Sequence, residues 1–117
     1  MALTARMVTM DCADPTRLAA FWSQAAGYQV LADYDGFYVL LAPAGGEGLR
    51  LGLQKVPEER VTKNRAHVDW QAEDRETEVK RLLELGATVL DEQTVDGFAW
   101  TVLADPEGNE FCVSGRE

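Results

Sequence analysis

One histidine, two cysteines and four prolines are all this chain offers of those residues, and each scarcity removes possibilities. Two cysteines, Cys12 and Cys112, make neither a disulfide framework nor a spaced metal pair, so free thiols in a reducing compartment are expected. No uninterrupted apolar run approaches the roughly 20 residues that cross a bilayer. The opening Met1-Ala2-Leu3-Thr4-Ala5-Arg6 lacks the apolar core of a signal peptide, so a soluble, cytoplasmic protein is expected. Positive charge is also scarce: 11 Lys and Arg against 20 Asp and Glu give a net charge of −9. Such a field repels nucleic acid and anionic membrane, because phosphate binding needs clustered cations.

What is present is a repeat spanning nearly the whole chain. Met7 and His67 are 60 positions apart, and so are Asp14 and Asp74. Each copy opens on a short strand, Arg6–Cys12 in the first and Arg65–Gln71 in the second. Each continues into a helix ended by glycine, Gly27 or Gly86, and then into an extended segment, Tyr28-Gln29-Val30-Leu31 against Ala87-Thr88-Val89-Leu90. Asp14 before Pro15 and Asp74 before Arg75 suit helix N-caps. Leu18, Phe21, Trp22 and Ala25 make the apolar stripe of the first helix, and Val79, Leu82 and Leu83 that of the second, predicted over about 75–85.

Strands are predicted over 28–32 and 37–42, joined by the turn Asp33-Tyr34-Asp35-Gly36, with an alternating strand at 49–54 whose leucines share one face. The loop Pro43-Ala44-Gly45-Gly46-Glu47-Gly48 is glycine-rich but opens no helix, which excludes a phosphate cradle. The pattern is two βαβββ modules in a single α+β domain. Module 1 covers about residues 5–56, a linker about 57–64 and module 2 about 65–115.

One helix per module covers one sheet face, so the remaining faces are expected to form a cupped, partly closed mixed β-sheet with helices outside and a cleft within. Strand alternation aims Met7, Thr9, Asp11, Arg50, Gly52 and Gln54 of the first module into it. His67, Asp69, Gln71, Cys112 and Ser114 follow from the second. Trp70 alternates away, to pack under a helix. Of the aromatic pairs Phe37/Tyr38 and Phe98/Trp100, one member each is expected on the cleft wall. His67, as an imidazole in a cleft, is the candidate general base or ligand anchor, set against a structural histidine bonded to Asp69 or Gln54. Cys112 is either a core residue or a nucleophile whose pKa His67 would lower.

The chain resembles the vicinal oxygen chelate superfamily of glyoxalase I, bleomycin-resistance proteins and extradiol dioxygenases, in its small glyoxalase-like branch. The resemblance rests on Asp14-Pro15, Phe21-Trp22, Gln54-Lys55-Val56-Pro57-Glu58, Asn64-Arg65-Ala66-His67-Val68-Asp69, Leu85-Gly86-Ala87 and the stretch from Trp100 to Phe111. Within that last stretch Asp105-Pro106-Glu107-Gly108-Asn109 is its most specific mark. It implies the cleft fold and a small-molecule ligand. Metal-dependent members hold a divalent ion with His, Glu or Gln from the first and last strand of each module. The corresponding positions here are Met7, Gly52 or Gln54, His67 and Cys112, of which His67 alone fits well.

The expectation is therefore a small-molecule binder or enzyme without the usual catalytic metal, contacted through Met7, Thr9, Gln54, His67, Asp69, Trp100 and Cys112. No cofactor is expected. The alternative is a metal-dependent lyase, isomerase or dioxygenase using His67, Gln54 and Cys112. A purely structural or protein-binding module is a third class. A symmetric homodimer is expected, since two small modules leave much sheet to cover.

Overall fold

The computed structural model describes residues 5–115; Met1-Ala2-Leu3-Thr4, part of the stretch read for a signal peptide, lies outside them. The elements follow the repeat. In the first module β1 (Met7–Cys12), α1 (Pro15–Ala26), β2 (Tyr28–Asp33), β3 (Tyr38–Pro43) and β4 (Arg50–Lys55) form a mixed sheet of order β1-β4-β3-β2. In the second, β5 (Val68–Gln71), α2 (Arg75–Leu85), β6 (Thr88–Val95), β7 (Phe98–Ala104) and β8 (Glu110–Ser114) form a sheet of order β5-β8-β7-β6. Two compact units divide between Glu59 and Arg60.

Both helices begin where their sequence says they should. The Asp14 carboxylate accepts from the Arg17 amide and the Asp74 carboxylate from the Thr77 amide, each at 3.2 Å. Each cap thereby satisfies one of the amides a helix start leaves unpaired. At the far end Gly27 takes a left-handed φ of 71°, which ends α1 at no steric cost. α1 then buries Leu18, Phe21 and Trp22 over its sheet, the last two rings packed edge to face at 5.0 Å. Val39, Leu41, Leu51 and Leu53 complete this core.

α2 packs on β7 and β8 with less apolar help. Leu82 is buried, but Leu83, expected in the same stripe, is 42% exposed, because it lies a further 100° or so round the helix. Part of that contact is polar instead: Arg75 donates to the buried Thr101 hydroxyl at 2.6 Å and pairs with Glu92 at 3.2 Å. Leu103, Phe111 and Val113 supply the apolar remainder.

The repeat holds to the level of register. Thr9 pairs with Gly52, and sixty residues on Asp69 pairs with Cys112; on the other side of the same strands Leu40 pairs with Gly52 and Val102 with Cys112. β2 and β6 each carry a bulge, between Val30 and Ala32 and between Val89 and Asp91. The hairpin turns differ in length, yet both place Asp then Gly at positive φ, Asp35-Gly36 and Asp96-Gly97.

Three strand expectations shift. The strand expected over 65–71 begins only at Val68, because its ladder partner β8 begins at Glu110 and Arg65 and Ala66 have nothing to pair with. Leu49, expected to share a buried face with the other leucines, precedes β4 and is 40% exposed. Trp70, expected to alternate away from the cleft, is half-buried on the edge strand β5 and lines the same pocket as His67 and Asp69. Asp105-Pro106-Glu107-Gly108-Asn109 is the turn expected: the buried Asp105 carboxylate accepts from the Glu107 and Asn109 amides, both at 2.9 Å. Among the described residues no helix is long and apolar enough to cross a membrane.

Candidate functional site

The face of the second sheet opposite α2 carries a cleft of about 480 Å³, a volume suited to a small organic molecule. Alternation builds its wall. On β7, Phe98, Trp100 and Val102 share one side, and the first two rings sit 5.9 Å apart and tilted by 36°. Both rings of that pair line the cleft, not one as expected, because residues two apart on a strand face the same way. On β8, Glu110, Cys112 and Ser114 form the floor; on and before β5, Asp69 and His67 form the rim.

His67 Nε2 lies 3.2 Å from Asp69 Oδ1. His67 is partly exposed and Asp69 largely so, so this pair holds an orientation more than it stabilises the fold. Cys112 beside them is buried. Burial pushes its thiol above the ordinary value, and the negative charge of Asp69 and a hydrogen bond to it push the same way. Lys63 pulls weakly in the other direction. This overturns the idea of a thiol activated by His67: the protonated form is favoured, and a buried protonated thiol is a poor nucleophile.

Glu110 was missed in the sequence, although it shares strand parity with Cys112 and Ser114. Its carboxylate takes an ion pair from Arg60 and another from Lys63 at 3.6 Å. Lys63 and Glu110 both line the cleft, so these pairs tie the chain preceding β5 to its floor.

Of the residues expected to bind ligand, the structure brings His67, Asp69, Trp100 and Cys112 together. Met7, Thr9 and Gln54 belong to the first sheet. There Tyr38, the inward member of its pair, donates to Met7 Sδ at 3.5 Å and lies directly over Gly52. Phe37 is 64% exposed, with the Lys55 ammonium 5.3 Å from its ring centroid. Gln54 is exposed, and its carbonyl accepts from Cys12 Sγ at 3.6 Å.

The donor chemistry does not fit the hard divalent ion that the superfamily resemblance implies. Met7 offers a thioether already engaged by Tyr38, and Gly52 offers no side chain. Cys112 stands where a carboxylate would close such a site. Hard ions take oxygen ligands, and sulfur selects softer ones.

Comparison with known proteins agrees with the fold. No curated protein matches the chain. Among solved structures, a fosfomycin resistance protein, FosX, from Listeria monocytogenes aligns with a TM-score of 0.80 at 14% identity, covering 99% of this chain and 92% of that one. That protein was solved with Mn(II) and 1S,2S-dihydroxypropylphosphonic acid. A glyoxalase/bleomycin resistance protein/dioxygenase family enzyme from Burkholderia phytofirmans PsJN gives 0.77 at 19% identity over 93% and 95% of the two chains. A possible glyoxalase from Bacillus cereus gives 0.75 at 20% identity over 97% and 99%. The glyoxalase-like domain model matches residues 7–114, and with that match spanning both modules the chain belongs to the glyoxalase-like domain family.

Proposed function

We propose that this protein binds a small, flat, partly apolar organic molecule on the cleft face of its second module, without the usual hard catalytic metal. The observation that carries this reading is the pairing of an aromatic wall, Phe98 and Trp100, with a short polar rim, His67 and Asp69, around a cleft of about 480 Å³. Aromatic rings supply contact area at little entropic cost, and the few polar groups fix orientation. His67 is the imidazole on that rim, so it is either the ligand's polar anchor or, in an enzyme, the general base. The second copy of the chain expected as a partner remains part of this proposal.

The test is a thermal-shift screen of small aromatic and heteroaromatic molecules, followed by calorimetry of the hits. Trp100→Ala is expected to weaken a hit about tenfold or more, in line with the roughly 1–3 kcal/mol an aromatic contact contributes. His67→Ala is expected to abolish binding while leaving the melting temperature near wild type. Hits that bind both variants as well as wild type would place the ligand elsewhere and end this reading. One further observation favours a second reading, metal-assisted chemistry with atypical ligands: His67, Asp69 and Cys112 converge.

A further inference from the structure

We propose that residues 60–66, which lead into β5, are a strap along the mouth of the cleft, latched on the Glu110 carboxylate and released to admit a molecule. The proposal rests on the small-molecule reading of the cleft and adds how access to it is controlled.

Residues 60–66 form neither helix nor strand, and all but Asn64 are exposed. None of them makes a backbone hydrogen bond with another described residue. Their main-chain groups are left to water in the closed position as they would be in an open one, so the backbone does not oppose lifting. What holds the segment is one side chain of the cleft floor. Arg60 donates to Glu110 Oε2, and the Lys63 ammonium lies 3.6 Å from Glu110 Oε1. Among the described residues, every hydrogen bond and ion pair of the segment ends on that carboxylate.

The two halves of the latch differ. The Arg60 half is a charge-assisted hydrogen bond, the stronger kind. Oε1 takes no hydrogen bond, so Lys63 is held by charge alone. Lys63 is also the half that lines the cleft, with 70% of its side chain exposed, while the Glu110 side chain is only 10% exposed. A carboxylate so little hydrated holds its cations more firmly than a surface one. Release of Lys63 lets water reach it through the cleft, which keeps the open state within reach. The position sixty residues before Glu110 is Arg50, so the acidic latch belongs to the second module alone. Opening bares the floor, where Cys112 lies buried and within range of the Lys63 charge. Cys112 therefore reports the position of the strap without any ligand.

The experiment labels the full-length protein with N-ethylmaleimide and follows the two cysteines separately by peptide mass spectrometry. Cys12, buried in the first module, is the reference. Glu110→Gln and Arg60→Gln are each expected to speed labelling of Cys112 about fivefold or more and to leave Cys12 within about twofold of wild type. Arg60→Gln is the decisive variant. It keeps the negative charge of Glu110 near the thiol and removes a positive one, so electrostatics alone would slow the reaction, and only opening speeds it. Trypsin digestion of the wild type is a second measurement. The first cuts are expected after Arg60, Lys63 and Arg65. Relative to a small peptide substrate they should come faster at about 0.5 M sodium chloride than at about 0.05 M, because salt screens the latch. Glu110→Gln is expected to lose that salt response. Should it fail to fold, Arg60→Gln and the wild-type digest still decide. Unchanged or slower Cys112 labelling in Arg60→Gln would overturn the strap, as would first cuts elsewhere between β1 and β8. Screening hits that associate equally fast with wild type and both variants would also overturn it while leaving the binding reading intact. A strap that opens in a protein without hits would stand while that reading fell.

Discussion

Gly52 and Cys112 occupy the same place in the two modules, and the difference between them explains why one sheet face is open and the other filled. A Cβ on Gly52 would collide with Tyr38 Oη and meet Tyr38 Cζ at 2.8 Å and Thr9 Oγ1 at 2.9 Å. The ring of Tyr38 thus lies where a side chain at residue 52 would project. Gly52 is in an ordinary strand conformation, so alanine there would gain backbone rigidity were it not for this contact. Gly52→Ala is expected to destabilise the protein by about 1–3 kcal/mol, the range typical of overpacking. In a Tyr38→Leu background the same change should cost far less, and urea denaturation of the four proteins of that cycle measures the coupling. Equal costs in both backgrounds would show that the ring yields freely.

The residue scale is also where the sequence was most legible in the second module and least in the first. His67, Asp69, Cys112 and Trp100 follow from strand parity, and parity is what the sheet enforces. Parity alone also predicts Glu110 and Phe98 in the lining. Glu110 carries no separate signal beyond that parity, and Phe98 and Trp100, expected as alternatives, share a face because they are two apart on one strand. Tyr38 over Gly52 could not be read, since a ring's resting place depends on which neighbour leaves a gap.

At the level of elements, the caps were legible because an N-cap is a local contract between a side chain and an amide three residues on. Asp74 illustrates it. Its backbone and side-chain hydrogen bonds with Thr77 hold its carboxyl below the ordinary carboxylate range. A folded pKa below the unfolded one means that the ionised cap stabilises α2 above the ordinary carboxylate value and that this contribution fades as pH falls. Asp74→Asn keeps a capping oxygen but cannot titrate, so its melting temperature should fall less than wild type's between about pH 5 and pH 2. Parallel acid limbs would show that the cap's charge contributes nothing. Asp14 caps α1 through its hydrogen bond from the Arg17 amide, and Asp14→Ala is expected to cost about 1 kcal/mol by thermal denaturation. Burial of α2 was less legible than its ends, because Arg75 reaching Thr101 is a tertiary contact that no helical periodicity encodes.

For the whole molecule, the repeat was the legible feature, because equal spacing in sequence becomes equal register between the outer strand pairs of the two sheets; the matching bulges in β2 and β6 are visible in the structure alone. How the chain meets a second copy is not written in periodicity, yet the edge strands carry a signal. Every residue of β6 is exposed, including Val89, Leu90 and Val95, and β2 exposes Val30 and Leu31. Exposed edges with apolar residues invite pairing unless they are covered. The net charge of −9 opposes that pairing by self-repulsion, and salt screens the repulsion over roughly 10 Å at 0.1 M. A homodimer is therefore expected to tighten as ionic strength rises, the opposite of an interface held by ion pairs. Sedimentation velocity at micromolar concentration, in low salt and again near 0.3 M, decides the matter. A dimer fraction that grows with salt supports apolar association, one that shrinks would point to charge pairing, and a clean monomer in both conditions would end the expectation of a dimer.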